Sequence, residues 1–298
     1  MGKETISNTH YVNALPRVSE FRRIVKVFVR RKVVVLGFAL IVMIIIVAIF
    51  APWIAPYEPN TIDLVQARLQ PNKDHLLGTD DLGRDVLSRI IYGARVSLIV
   101  GIGAVSIAAA IGMTMGLIAG YYGGITNSII MRIIDALMCF PPLMLAIIIS
   151  IILGGGLQTV MIALGIGMVP SYSRLMCGQV LSIKENDYIM RSRTIGASNQ
   201  RIMMRHITPN AFPPLIVLIT LQMGTVILAE AGLSFLGLGI PAPTSSWGGM
   251  ISGGRQYLLT NPLISFSPGF AIMLLVFGFN MVGDGLRDAL DPRLRGTF

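Results

Sequence analysis

Val33-Val-Val-Leu-Gly-Phe-Ala-Leu-Ile-Val-Met-Ile-Ile-Ile-Val-Ala-Ile-Phe-Ala-Pro-Trp-Ile54 contains no charged residue. As a helix this run rises about 33 Å, enough to cross roughly 30 Å of hydrocarbon. Comparable runs recur at about 96–120, 129–153, 158–177, 212–236 and 266–284. Over the whole chain of 298 residues, 53% are hydrophobic, only 13% are charged and the mean hydropathy is +0.71. That balance excludes a soluble globule. The expected fold class is all-α integral membrane, with six transmembrane helices.

Charge orients the spans. Lys3, Arg17, Arg22, Arg23, Lys26, Arg30, Arg31 and Lys32 precede the first one, so the positive-inside rule puts the N-terminus in the cytoplasm. Threading onward leaves eighteen of the 24 basic residues inside and both termini cytoplasmic. The chain then divides into a basic tail (1–32), a first transmembrane helix (33–54), an extracytoplasmic loop (55–95), a core domain (96–290) and a C-terminal tail (291–298). Within the first tail, Phe21, Ile24, Val25 and Phe28 recur at helical spacing, as in a helix lying in the headgroup region. The first apolar run is about twice the length of a signal-peptide core and reads as a retained span. A net charge of +9 does not point to nucleic acid, because the basic residues flank apolar spans. Cys139 and Cys177 read as small apolar fillers, neither a disulfide nor a metal site.

One segment between spans is polar and basic: Asn186-Asp-Tyr-Ile-Met-Arg-Ser-Arg-Thr-Ile-Gly-Ala-Ser-Asn-Gln-Arg-Ile-Met-Met-Arg-His-Ile-Thr-Pro-Asn210. It reads as two short helices hinged at Gly196, with Ser198 capping the second and Pro209 ending it. No G-x-x-x-x-G-K-[ST] phosphate loop occurs in the chain. A helix pair on the cytoplasmic face of a membrane protein without its own nucleotide site suggests a docking surface for a separate motor. The plainer alternative is a solvated basic loop that sets topology.

Other polar and small residues are read as structural first. Gly112, Gly116 and Gly120 repeat every fourth residue and let another helix approach closely, in this subunit or a partner. Arg132 and Asp135 can pair on one face of the third span, and Glu230, the one acid of the fifth, reads as an interior group holding neighbouring helices together. His75, Asp80, Asp81 and Asp85 provide too few converging ligands for a metal; Asp80 or Asp81 is expected to cap a helix returning to the membrane. Ile251-Ser-Gly-Gly-Arg-Gln256 is expected to be a turn. No catalytic constellation is evident around the three histidines.

Five stretches resemble the permease subunits of ABC importers, specifically the C-type subunit of the dipeptide, oligopeptide and nickel importers. They are His75 to Arg95; Gly120-Tyr-Tyr-Gly-Gly through Met131-Arg-Ile-Ile-Asp135; Asp187 to Asn210; Glu230-Ala-Gly-Leu-Ser-Phe-Leu-Gly-Leu-Gly239 on to Trp247-Gly; and Asn280 to Arg295. In the general importer pattern the cytoplasmic loop begins Glu-Ala-Ala, with a glycine thirteen residues before a proline. Gly196 and Pro209 keep that spacing, while Met190-Arg-Ser192 replaces Glu-Ala-Ala.

The resemblance implies a type I importer permease fold with cytoplasmic coupling helices over 187–207. It implies a homologous second permease, two ABC ATPase subunits that hold ATP and Mg, and an extracytoplasmic substrate-binding protein. This chain would itself bind no cofactor. Coupling would fall to Asp187, Ile189, Arg191, Arg193, Gly196, Ala197, Ser198, Arg201, Met203, Arg205 and Pro209. Ile189, Ile195, Ile202, Met203 and Ile207 would be the apolar anchors on the motor. The competing reading is a proton-coupled secondary transporter using Asp135 and Glu230 as relay carboxylates, disfavoured by the lack of internal repeats.

Overall fold

The computed structural model describes residues 31–290. The expected interfacial helix around Phe21–Phe28 and the tail 291–298 lie outside the described residues. Those residues form helices and no named strand, with one isolated bridge between Thr79 and Asp85.

Helix α1 spans Lys32–Ile49 and a further turn, Ala51–Ile54, follows it. Helix α2, Val86–Tyr122, starts ten residues before the apolar run does, because Asp85 accepts the Ser88 N–H at 2.7 Å and caps it. Asp80 and Asp81, the expected caps, are not used this way. The third span is not straight: α3 (Gly124–Met138) and α4 (Pro142–Leu153) meet at 86°. Pro141 and Pro142 explain the break, since neither has an N–H to continue the ladder and Pro142 opens the first turn of α4.

Helix α5 is Leu157–Lys184 and a short α6, Asp187–Thr194, follows. The next helix, α7, is continuous over Asn199–Phe235. Pro209 therefore does not end a helix. The turn before it, Ile202–Ile207, is a π-helix in which the Thr208 N–H and hydroxyl both reach the Met203 carbonyl. This wider turn makes room for the proline ring. Helices α8, Trp247–Gly254, and α9, Leu263–Leu290, complete the bundle. Ile251–Gly254 thus closes a helix, where a turn was expected, and only Arg255–Tyr257 forms a 3₁₀ turn.

Close backbone approach organises the core. A methyl on Gly112 would lie 2.6 Å from the Val169 carbonyl oxygen, and one on Gly120 would lie 2.8 Å from Val180 Cβ. Gly116 is equally tight against Ser173 and Met176. The glycine stripe is therefore used within the subunit, laying α2 against α5 around the buried Tyr172 and Met176. The same device joins the first and last helices, where Gly37 meets Met281 and Gly278 meets Ile41, with Arg31 paired to Asp288 nearby.

Candidate functional site

Helix α6 carries Asp187 in its first turn and Arg191 and Arg193 in its last, each on the favourable end of the helix dipole. Its end is a Schellman cap. Gly196 sits at φ +81°, its N–H donates to the Arg193 carbonyl at 3.0 Å, and the Ala197 N–H donates to the Ser192 carbonyl at 3.1 Å. Gly196 is accordingly a fixed corner rather than a loose hinge. The Ser198 hydroxyl then accepts the Arg201 N–H at 3.4 Å and starts α7.

Three of the expected motor anchors face the wrong way for that task. Ile189, Ile202 and Ile207 are fully buried in the chain's own core, and Met203 packs partly against it. The apolar side chains left outside are Ile195, at 83% exposure, with Met190, Met204 and Tyr188. Around them Asp187, Arg191, Arg193, Arg201, Arg205 and Pro209 are exposed, and Ala197 is half-buried.

The surface is tied to the bundle at several points. The Tyr121 hydroxyl donates to Asn199 Oδ1 at 2.7 Å, and the Arg193 guanidinium lies 5.2 Å from the Tyr121 ring centre. Lys184 Nζ donates to the Gly120 carbonyl at 3.2 Å, and the Asn210 amide donates to the Tyr188 hydroxyl at 3.4 Å. Tyr121 and Asn199 were not singled out from sequence, although both lie in stretches that carry the family resemblance.

The polar groups within the spans are not paired as expected. Asp135 accepts from Arg174 Nη2 at 2.6 Å, rather than from Arg132, which is exposed and forms no ion pair among the described residues. Arg174 was counted with the basic residues on the cytoplasmic side, but it lies inside α5, ten residues before the Lys184 end. Glu230 is completely buried. It accepts the Ser234 hydroxyl at 2.8 Å, and Ser234 in turn accepts the Ile240 N–H at 3.3 Å. Its carboxyl thus fastens its own helix to the following loop instead of bridging two helices. Asp135 and Glu230 share no bond and form no relay.

At the opposite end, residues 55–85 fold into a tight, polar cap. His75 bridges Asp85 at 2.9 Å and Gln66 at 2.8 Å, and stacks on Tyr57. Asp80 accepts Arg84 Nε at 2.7 Å and lies 3.6 Å from Arg89 Nε, while Arg89 also donates to the Pro59 carbonyl at 2.8 Å. Arg84 and Arg89 line a cavity of about 360 Å³ with Ser234, Ile240 and Met250. No group of residues suited to hold a metal occurs among the described residues.

Comparison with known proteins places this geometry. Residues 112–296 match the family described as binding-protein-dependent transport system inner membrane component, and residues 19–71 match the N-terminal TM domain of oligopeptide transport permease C. The chain is 46% identical to the dipeptide transport system permease protein of Alkalihalophilus pseudofirmus, over 93% of this chain and 91% of that one. It is 45% identical to the oligopeptide transport system permease protein of Bacillus subtilis, over 90% and 88%. With a glutathione transport system permease protein of Escherichia coli it shares 43%, over 86% and 85%. Among solved structures, an inward-facing methionine ABC transporter chain superposes with a TM-score of 0.55 at 21% identity, covering 69% of this chain and 98% of that one. This last likeness concerns the fold alone.

Proposed function

The chain belongs to the family of binding-protein-dependent transport system inner membrane components, and from that premise we propose that it forms one half of the membrane path of an ATP-driven importer of di- and oligopeptides. It is an integral inner-membrane permease of an ABC importer. The peptide cargo is supported by the dipeptide, oligopeptide and glutathione transport named for its relatives. A homologous second permease completes the path, two ATPase subunits supply ATP and Mg, and an extracytoplasmic binding protein delivers the cargo. The chain itself catalyses nothing. Both termini and the Asp187–Asn210 segment face the cytoplasm, and the polar cap at 55–85 faces outward.

The carrying observation is the construction of the segment around α6. Its charges point outward and form no ion pair among the described residues, while Ile189, Ile202 and Ile207 root it in the core. When the ATPase pair closes on ATP, displacement of α6 passes through the Gly196 corner into α7 and through Tyr121 into α2. Contact with the motor falls to Ile195, Met190, Met204 and the surrounding arginines, the adaptable methionines fitting a groove.

The test is reconstitution. The chain purified with its partners in mild detergent should show ATP-dependent uptake of a dipeptide in liposomes, and the chain alone should show none. Uphill transport by the lone chain, or uptake driven by a proton gradient without ATP, would overturn the reading.

A further inference from the structure

The Arg174–Asp135 pair is placed unusually. Its side chains are 51% and 53% exposed, yet Arg174 lies ten residues, about 15 Å, from the Lys184 end of α5. The bond from Lys184 to Gly120 fixes that end where the apolar run of α2 stops, and Arg174 itself lies within the 158–177 apolar run. Helix α3 crosses α5 obliquely. Asn127 meets Cys177 and, eight residues on, Asp135 meets Arg174, so about 12 Å along α3 corresponds to only about 4.5 Å along α5. Arginine can reach toward a membrane surface along its stem, but aspartate is too short to follow. The pair therefore stays within the membrane's thickness, and half-open charges at that depth are tolerated against water or protein, not lipid tails. Arg132, one turn before Asp135 on α3, adds a second exposed cation to the same region.

We propose that this pair lines the water-filled path and exchanges partners with a peptide in transit, Asp135 taking the terminal ammonium and Arg174 the terminal carboxylate. The inference rests on the reading of the chain as a peptide importer. A zwitterion suits the site because one internal ion pair opens into two, leaving neither charge bare in a low-dielectric passage. Arg132 adds further attraction for the carboxylate end.

A native probe lies beside the pair. Cys139 is exposed one turn after Asp135, with its thiol bonded to the Asp135 carbonyl, whereas Cys177 is buried. In liposomes holding the complete complex, Cys139 is reacted with a membrane-impermeant, positively charged methanethiosulfonate or with lipid-soluble N-ethylmaleimide. Modification of this chain is followed by mass spectrometry, with and without alanyl-alanine. The charged reagent should modify Cys139, and alanyl-alanine at a few times its dissociation constant should slow that reaction about fivefold. Asp135→Asn and Arg174→Gln should keep the labelling and lose the protection. The double Asp135→Asn, Arg174→Gln chain strands neither charge and serves if the single variants do not assemble; it too should lose protection.

Modification by N-ethylmaleimide alone would mean a lipid-facing pair, and reaction with neither reagent a subunit contact; either overturns the proposal. So does labelling by the charged reagent that alanyl-alanine leaves unchanged in the wild type, or protection that survives in the variants. Uptake of alanyl-alanine in the same vesicles separates the two levels. ATP-driven uptake without protection removes the role of the pair and leaves the importer standing, whereas protection without uptake removes the importer reading.

Discussion

The two polar ends of the bundle are built in opposite ways. In the 55–85 cap, Glu58, Lys73 and Asp74 stay exposed but the charges next to α2 turn inward: Asp80 holds Arg84 and approaches Arg89, Asp85 holds His75, and these side chains are almost wholly buried. In the Asp187–Asn210 segment the apolar side chains turn inward and the arginines stay outside. One end uses its charges to fix its own shape, and the other keeps them available. Substitutions at the first should therefore disturb stability, and substitutions at the second should disturb assembly or coupling.

That contrast is most directly broken at Asp80. Asp80→Ala strands two buried guanidinium groups and should cost about 3–5 kcal/mol. The loss is read as a lower temperature at which the buried Cys177 thiol becomes reactive toward a fluorogenic reagent. ATPase association should survive wherever the variant is folded. Next is Gly196→Pro, which demands φ near −65° where the chain has +81° and removes the N–H bonded to Arg193. Loss of the corner costs on the order of 3 kcal/mol, and ATP-driven uptake should fall about a hundredfold with insertion intact. Normal uptake would show that the corner transmits nothing.

Smaller effects sharpen the same contrast. Asp85→Ala removes the cap of α2 and a partner of His75, and should lower stability by about 1–2 kcal/mol in the thiol assay while uptake per folded complex stays unchanged. Joint replacement of Arg191 and Arg201 by Glu should leave stability unaltered and weaken ATPase association about tenfold, an effect that shrinks as salt is raised. A stability loss there comparable to that of Asp80→Ala would erase the distinction between the ends.

Hydropathy and period made much of this legible. The spans follow from apolar runs, and glycines at every fourth position implied a close helix contact on α2, though not that α5 makes it. Ser198 was recognisable as a cap because its hydroxyl precedes a helical stretch. What escaped depends on distant partners or on local rescue of a broken rule. The Phe140-Pro-Pro stretch carried a visible signal for a bend, but the long apolar run on both sides obscured it. Pro209 looked like a terminator, and only the wide turn at Ile202–Ile207 lets the helix pass through it. Asp135 had a cation one turn away, yet it pairs with one 39 positions along the chain, which no local spacing reveals. Ile189 was assigned outward because an isolated short helix does not disclose which of its faces the bundle will cover.

The cap also has a consequence for biogenesis. Gln70 donates to the Thr260 carbonyl and Asn261 donates to the Leu69 carbonyl, contacts that join residues separated by 190 and 192 positions. At about 5–20 residues per second, the ribosome needs roughly 10–40 s to deliver the second half of each bond. In the proposed orientation, the early loop is translocated during that interval while the residues it bonds are still unsynthesised. Nascent chains stalled before residue 260 should thus expose 55–85 to protease, making the last hairpin the latch that ends a vulnerable childhood.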